Sequence, residues 1–228
     1  MIKKIIYVLK VLRERGVGFF WTYFRESVWF DLYHGINTST RVPKEEQTIV
    51  SSNKEADNGL LYVASFTSVT RDTVSHARNI LGDKKFAVSQ FIDLGCGKGK
   101  ALLVFKKIFG LINKPSAIGI EYDPELTKLA KRNIDKCNFA RASVDVFTDS
   151  AANLMSYTEA DTLIIYLYNS FQGDTLKEVL NVLSNTPHVL IYVDPVEENM
   201  LPNYGYEIIH KNEGSYNADT WLVATSGL

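Results

Sequence analysis

The chain has 228 residues, of which 46% are hydrophobic and 22% charged, and its formal net charge is -1. This suits one large domain, or one domain with an appendage, excludes global disorder and gives no overall bias towards nucleic acid. Only Cys96 and Cys137 are present, so neither a disulfide framework nor a zinc centre is implied, and a reducing, cytoplasmic setting fits.

The opening stretch, MIKKIIYVLKVLRER, puts Ile2, Ile5, Ile6, Leu9 and Leu12 on one helical face, with Lys3 and Lys10 opposite. No apolar run reaches the roughly 18 residues a spanning helix needs, and no small-residue cleavage site follows, so the stretch reads as retained. Two readings stand for residues 1–15: an interfacial helix on an anionic membrane, or a helix packed on its own domain or on a second copy. Residues 18–35, GFFWTYFRESVWFDLYHG, carry eight aromatics, a density that implies burial, against the main domain or over a ligand. The polar stretch 40–59, TRVPKEEQTIVSSNKEADNG, reads as a loop or linker. It divides the chain into an N-terminal helical, aromatic-rich segment with its linker (1–57) and a main domain (58–228).

From about residue 60 strands and helices alternate. A helix is predicted over 67–81, with Thr67 or Ser68 able to cap it. Strand 88–94, helix 98–111, strand 116–122 and helix 123–136 follow, the last opened by Asp123-Pro124. Strands 143–148 and 161–168, helix 172–185 and strand 188–193 come next, and strands 205–212 and 219–225 close the chain. Alternation with continuously apolar strands predicts a doubly wound α/β fold, a seven-stranded, mostly parallel sheet covered on both faces. The short link between the last two strands makes them an antiparallel hairpin. A ligand belongs beyond the carboxyl ends of the central strands.

There the sequence reads FIDLGCGKGK (91–100). Glycines at this spacing can cradle a nucleoside triphosphate, a dinucleotide or an adenosyl group. A Walker loop needs G-x-x-x-x-G-K-[ST], but Gly99 stands where the hydroxyl belongs; a dinucleotide fingerprint needs G-x-G-x-x-G, whereas Gly95, Gly97 and Gly99 are evenly spaced. Asp93, just ahead of the loop, repels a pyrophosphate and suits a cation.

FIDLGCGKGK, followed by IGIEYDP (118–124) and the terminal hairpin, resembles the class I S-adenosylmethionine-dependent methyltransferases over roughly residues 60–228. The resemblance implies S-adenosylmethionine as cofactor and no metal. Gly95, Cys96, Gly97 and Gly99 form the loop, where the glycines let the backbone approach the amino-acid part of the cofactor. Asp93 holds the ammonium, Glu121 accepts both ribose hydroxyls, and Tyr122 lies against adenine. VFTDSA (146–151) is similar to the third motif, in which Asp149 accepts from the adenine amine and the backbone of Ser150 donates to the ring; Asp145 is the alternative acid. Cys96 and Lys98 occupy variable loop positions, Lys98 reading as a solvated charge and Cys137 as a small hydrophobe.

At the end of the fourth strand, Asn169-Ser170-Phe171 resembles the shortened N-P-F motif of amine-methylating relatives, with Ser in place of Pro. Asn169 then accepts an N–H from an incoming amine and Phe171 walls the pocket; the alternative is that Asn169 only caps the helix at 172. FDLYHGINTSTRV (30–42) resembles a stretch in bacterial methyltransferases of unassigned substrate, with Tyr33, His34 and Asn37 within possible reach of substrate. NGLLYVASFTSV (58–69) is more weakly similar to protein-lysine methyltransferases, Tyr62 lacking the following Pro. Asp194 reads as a turn before Pro195. The expected activity is methyl transfer to nitrogen of an amine, in a protein lysine or a small molecule; the alternative is a catalytically idle domain that binds the cofactor or a partner. The absent Pro-Pro platform and the dispersed basic residues argue against nucleic acid.

Overall fold

A computed structural model describes residues 17–40, 62–113, 116–141 and 143–228. The basic stretch at the N-terminus, and the expected boundary near residue 57, lie outside the described residues.

Helix α1 runs over residues 17–34, its middle turn widened to a π-helix over Phe24–Val28 and its last part formed by Trp29–His34. Gly35, at φ 66°, ends it in the left-handed conformation that glycine adopts without a Cβ penalty. Then follow α2 (Thr67–Val88), β1 (Gln90–Leu94), α3 (Lys100–Asn113), β2 (Ser116–Glu121), α4 (Pro124–Lys136) and β3 (Val144–Thr148). After a 3-10 turn over Ala151–Tyr157 come β4 (Leu163–Tyr168), α5 (Gly173–Leu183), β5 (His188–Val193), β6 (Glu207–Asn212) and β7 (Trp221–Ser226).

The seven strands form one sheet in the order β3-β2-β1-β4-β5-β7-β6. The first five are parallel, and β7 runs antiparallel between β5 and β6. The predicted doubly wound sheet with its terminal hairpin is what the chain builds. Chain order reverses between β1 and β4, which opens a crevice at their carboxyl ends.

Strand periodicity splits the core in two. Phe91, Tyr166, Val189 and Ile191 face a layer made by α1, α2, α3 and α4, where the Phe91 and Phe105 rings stack at 4.2 Å. Ile92, Leu94, Ile165 and Leu190 face the other way, against Leu176, Val179 and Leu180 of α5. Full burial of each such side chain contributes about 1.5–3 kcal/mol, which is why β4 and most of β5 are apolar without alternation.

Two local expectations change. The helix predicted over 67–81 stops being helical at Gly82 (φ 72°, ψ 159°) and resumes to Val88. Neither Thr67 nor Ser68 caps it with its own side chain. The Ser68 N–H donates instead to Oε2 of Glu26 on α1, at 2.9 Å, and the Thr67 hydroxyl donates to the Glu26 carbonyl at 2.8 Å. A buried carboxylate from another helix thus satisfies one of the backbone donors at the positive end of α2. The α4 start is as read: the Asp123 side chain accepts from Glu125 N and Leu126 N, with Pro124 at the first helical position.

Residues 17–40 join the main core through Phe19, Tyr23 and Ile36. The turn after α1 is folded around the buried Asp31, whose carboxylate accepts from Thr38 N, Thr38 Oγ1 and Ser39 N at 2.6–2.7 Å.

Candidate active site

The crevice at the carboxyl ends of β1, β2 and β4 is lined by Asp93, Gly95 and Cys96 from the first loop, by Glu121 and Tyr122 from the second, and by Asp149 and Ala151 from the third. Tyr168, Ser170 and Phe171 close the β4 side, and Tyr62 to Ser65, Lys100, Ala101, Ile120 and Leu126 complete the wall.

The glycine loop has a further physical need beside the expected approach of a cofactor. Gly95, Gly97 and Gly99 all have positive φ, at 71°, 52° and 79°. A Cβ on Gly95 would lie 2.3 Å from Ser170 Cβ, and one on Gly97 would lie 2.1 Å from the Tyr62 ring. Close packing by Ser170 and Tyr62, together with the left-handed backbone, therefore demands glycine at these two positions. Gly97 and Gly99 do not line the crevice. Cys96 does, and its buried sulfur presses on Gly119, where a Cβ would come within 2.6 Å. Burial, reinforced by Asp93 and Glu121, holds its thiol well above the usual range, which disfavours the thiolate.

Asp93 and Glu121 are buried, at 4% and 3% exposure. Burial raises the Asp93 carboxyl well above its ordinary value, and the Glu121 charge adds to the effect. Burial pushes Glu121 up to about 7, against the opposing pull of backbone N–H donors. Those donors are the backbone N–H groups of Asp123, at 3.0 Å to Oε1, of Gly97, at 2.7 Å to Oε2, and of Tyr122. The pattern couples the glycine loop to the tip of β2. Two acids with raised affinity for protons in one crevice create a demand for positive charge.

Asp149 differs. Hydrogen bonds from Tyr157 Oη at 2.6 Å, Asn153 Nδ2 at 2.8 Å and its neighbour's Ser150 N at 2.7 Å hold its carboxyl below the usual range, that of Tyr157 contributing most. The Ser150 N–H, expected to donate to an adenine ring, is donated here to the Asp149 carboxylate, and Ser150 does not line the crevice. Asp145 lies on β3 away from it.

On the β4 side, Phe171 is buried in the crevice wall as expected, whereas Asn169 does not line the crevice. Its amide donates to Asp194 Oδ2 at 2.9 Å, and its carbonyl accepts from Gln172 Nε2 at 3.0 Å. It does not cap α5 either, since the first N–H of that helix, on Gly173, donates to Glu197 Oε2 at 2.8 Å.

Sequence reasoning missed how the N-terminal segment reaches the site. Tyr62, in the crevice wall, donates its hydroxyl to the Thr38 carbonyl at 2.8 Å. Lys98 is buried rather than solvated, donating to the Thr40 carbonyl at 2.7 Å, with its ammonium 5.3 Å from the Tyr62 ring centroid. Lys100 lines the crevice, yet its ammonium lies 3.9 Å from the Phe30 ring centroid and 3.4 Å from the Ser27 carbonyl; burial lowers it to about 7. No residue of 17–40 lines the crevice itself. Of the residues read as reaching substrate, Tyr33 is exposed, His34 packs on Phe30 and Phe139, and Asn37 bonds Asn133.

No protein-family model matches the chain. No curated protein matches it either. Among solved structures, the fold is similar to that of a glycopeptide N-methyltransferase, MtfA, complexed with S-adenosyl-L-methionine: the TM-score is 0.54 at 9% identity, over 72% of this chain and 95% of that one. It is also similar to MtNAS in complex with MTA and tNA, with a TM-score of 0.50 at 10% identity, over 71% of this chain and 61% of that one. This chain therefore spans under two thirds of the MtNAS chain. The fold is that of the class I S-adenosylmethionine-dependent methyltransferases. At such identities the likeness concerns the fold alone.

Proposed function

We propose that the protein binds S-adenosylmethionine in this crevice and transfers its methyl group to a nitrogen of an amine, in a protein lysine or a small molecule. The observation that carries the reading is the pair of buried carboxylates, Asp93 and Glu121, at the ends of β1 and β2, both shifted towards protonation. A ligand with an ammonium, a sulfonium and neighbouring hydroxyls fits that pair, whereas a pyrophosphate does not.

In this reading Asp93 holds the ammonium and Glu121 accepts the ribose hydroxyls. Tyr122 lies along adenine, and Asp149, with three of about four acceptor positions filled, offers the last to the adenine amine. The cofactor supplies an electrophilic methyl group on a sulfonium. The chain then has to orient the acceptor and exclude water. Tyr168, Ser170 and Phe171 wall that end of the crevice, while Asn169, bonded to Asp194 and Gln172 outside it, would have to turn inward to orient the amine.

Calorimetry with S-adenosylmethionine, its demethylated product, NAD and ATP tests the cofactor: the first two should bind and the others should not. Tritiated S-adenosylmethionine with a fractionated lysate tests transfer. Cofactor binding with no labelled product in any fraction would leave a domain that binds without catalysis; preferential NAD binding would overturn the assignment.

A further inference from the structure

The two faces of α1 are chemically opposite. The row Phe19, Tyr23, Ser27 and Asp31 is buried, while the row Val17, Trp21, Arg25, Trp29 and Tyr33, with Leu32 beside it, faces solvent. Side chains four apart share a helix face, but a strict α-helix lets such a row drift. The π-turn at Phe24–Val28, closed by the Trp29 N–H on the Phe24 carbonyl, takes up that drift, so both rows hold their facing over 17–33.

The outward row is unusual for a solvated surface. Val17, Trp21, Trp29, Leu32 and Tyr33 are 58–71% exposed. Phe20, Trp21, Phe24 and Trp29 form a continuous ring cluster with centroids 5.8–6.5 Å apart. Both acids of the helix, Glu26 and Asp31, are buried on the inner side, so the only charge on the outward row is Arg25. The sequence running into this row from residue 1 adds Lys3, Lys4, Lys10, Arg13 and Arg15 against the single acid Glu14. An apolar, aromatic face with cations and no exposed acid complements one kind of surface, an anionic lipid bilayer, where indole and phenol rings settle at headgroup depth and lysines meet the phosphates.

We propose that the outward face of α1 docks the protein on anionic membranes as a peripheral contact. No described helix is long and apolar enough to cross a bilayer, so the contact is lateral. The proposal is independent of the cofactor assignment and stands or falls without it.

The chain carries its own reporter. It has three tryptophans; Trp21 and Trp29 are exposed on this face, and Trp221 is 9% exposed in the sheet. Full-length protein is mixed with vesicles of phosphatidylcholine alone or of phosphatidylcholine and phosphatidylglycerol, and both sedimentation and tryptophan emission are read. The expected result is sedimentation with the anionic vesicles only, weakened by salt, with emission shifted to the blue. The double variant W21A/W29A, which touches only exposed rings, should keep its thermal midpoint and lose roughly tenfold or more in partitioning. No sedimentation with anionic vesicles, or sedimentation without a blue shift and unaltered in W21A/W29A, would overturn the proposal. A blue shift that grows with protein concentration in the absence of lipid would overturn it too, by assigning the face to a second copy of the chain.

Discussion

The side-chain amide of Asn169 donates to Asp194 at 2.9 Å, and among the described residues these two alone have positive φ without being glycine, at 34° and 51°. They directly follow β4 and β5, whose last pair in register is Tyr168 and Val193. Backbone in this region costs of order 1–3 kcal/mol per residue and persists where the surroundings over-determine it, often at sites of function. A carboxylate only accepts, so Asp194 dictates which end of the Asn169 amide faces it.

If Asn169 orients the acceptor, Asn169→Ala and Asp194→Ala should each lower turnover tenfold or more, on the order of 1.4 kcal/mol in barrier, with cofactor affinity unchanged. Single-turnover transfer of labelled methyl and calorimetry measure the two separately. Full turnover in both variants would reduce the pair to a device for closing two strand ends.

Asp93→Ala and Glu121→Ala should each weaken cofactor binding by about 1–3 kcal/mol, the range for losing hydrogen bonds to charged groups. Unaltered affinity in both would move the site elsewhere.

The raised acids also set a pH dependence. Glu121 rises from 4.5 to about 7 in the folded chain, so between those values the folded state holds more protons than the unfolded state. Its contribution to stability is therefore fully present below about pH 4.5 and is lost as pH rises through about 7. Without ligand, the thermal midpoint of Glu121→Gln should fall less than that of the parent across this window. Binding of a cationic cofactor should strengthen as pH rises through the same window, because the carboxylate is then charged. A parent and variant with parallel pH profiles would contradict both statements.

Gly97→Ala combines a left-handed backbone, worth roughly 1–2 kcal/mol to a residue with a Cβ, with a collision against the Tyr62 ring. It should destabilise the fold by more than the backbone cost alone. Adding Tyr62→Ala should cost less in Gly97→Ala than in the parent, and a double-mutant cycle on denaturant midpoints reads the difference. Strict additivity would mean that the ring moves aside freely.

Glu26→Ala removes the acceptor for the first turn of α2 and should cost about 0.5–2 kcal/mol, as loss of an N-cap does. Ser68→Pro removes the same N–H and should cost less in Glu26→Ala than in the parent, which equilibrium unfolding of the four chains would reveal.

Much of this protein is legible locally. Short, mostly apolar stretches, punctuated by helical periods, are enough for β1 to β5, and a short link forces β6 and β7 into a hairpin. Asp93, the three loop glycines and Glu121 sit within or beside one strand-loop unit each, so short-range spacing suffices to place them at one end of the sheet. What the sequence could not decide rests on partners far along the chain. Glu26 caps a helix 42 residues away, Lys98 meets a carbonyl 58 residues away, and Asn133 bonds Asn37 across 96 residues. Gly97 owes its identity to the Tyr62 ring, and Asn169 turns to Asp194 rather than to the crevice. A side chain's donors and acceptors are satisfied by whatever the fold brings within about 3 Å, and periodicity carries no information about that distance. Local pattern determines which elements form; only packing decides which of their polar atoms meet.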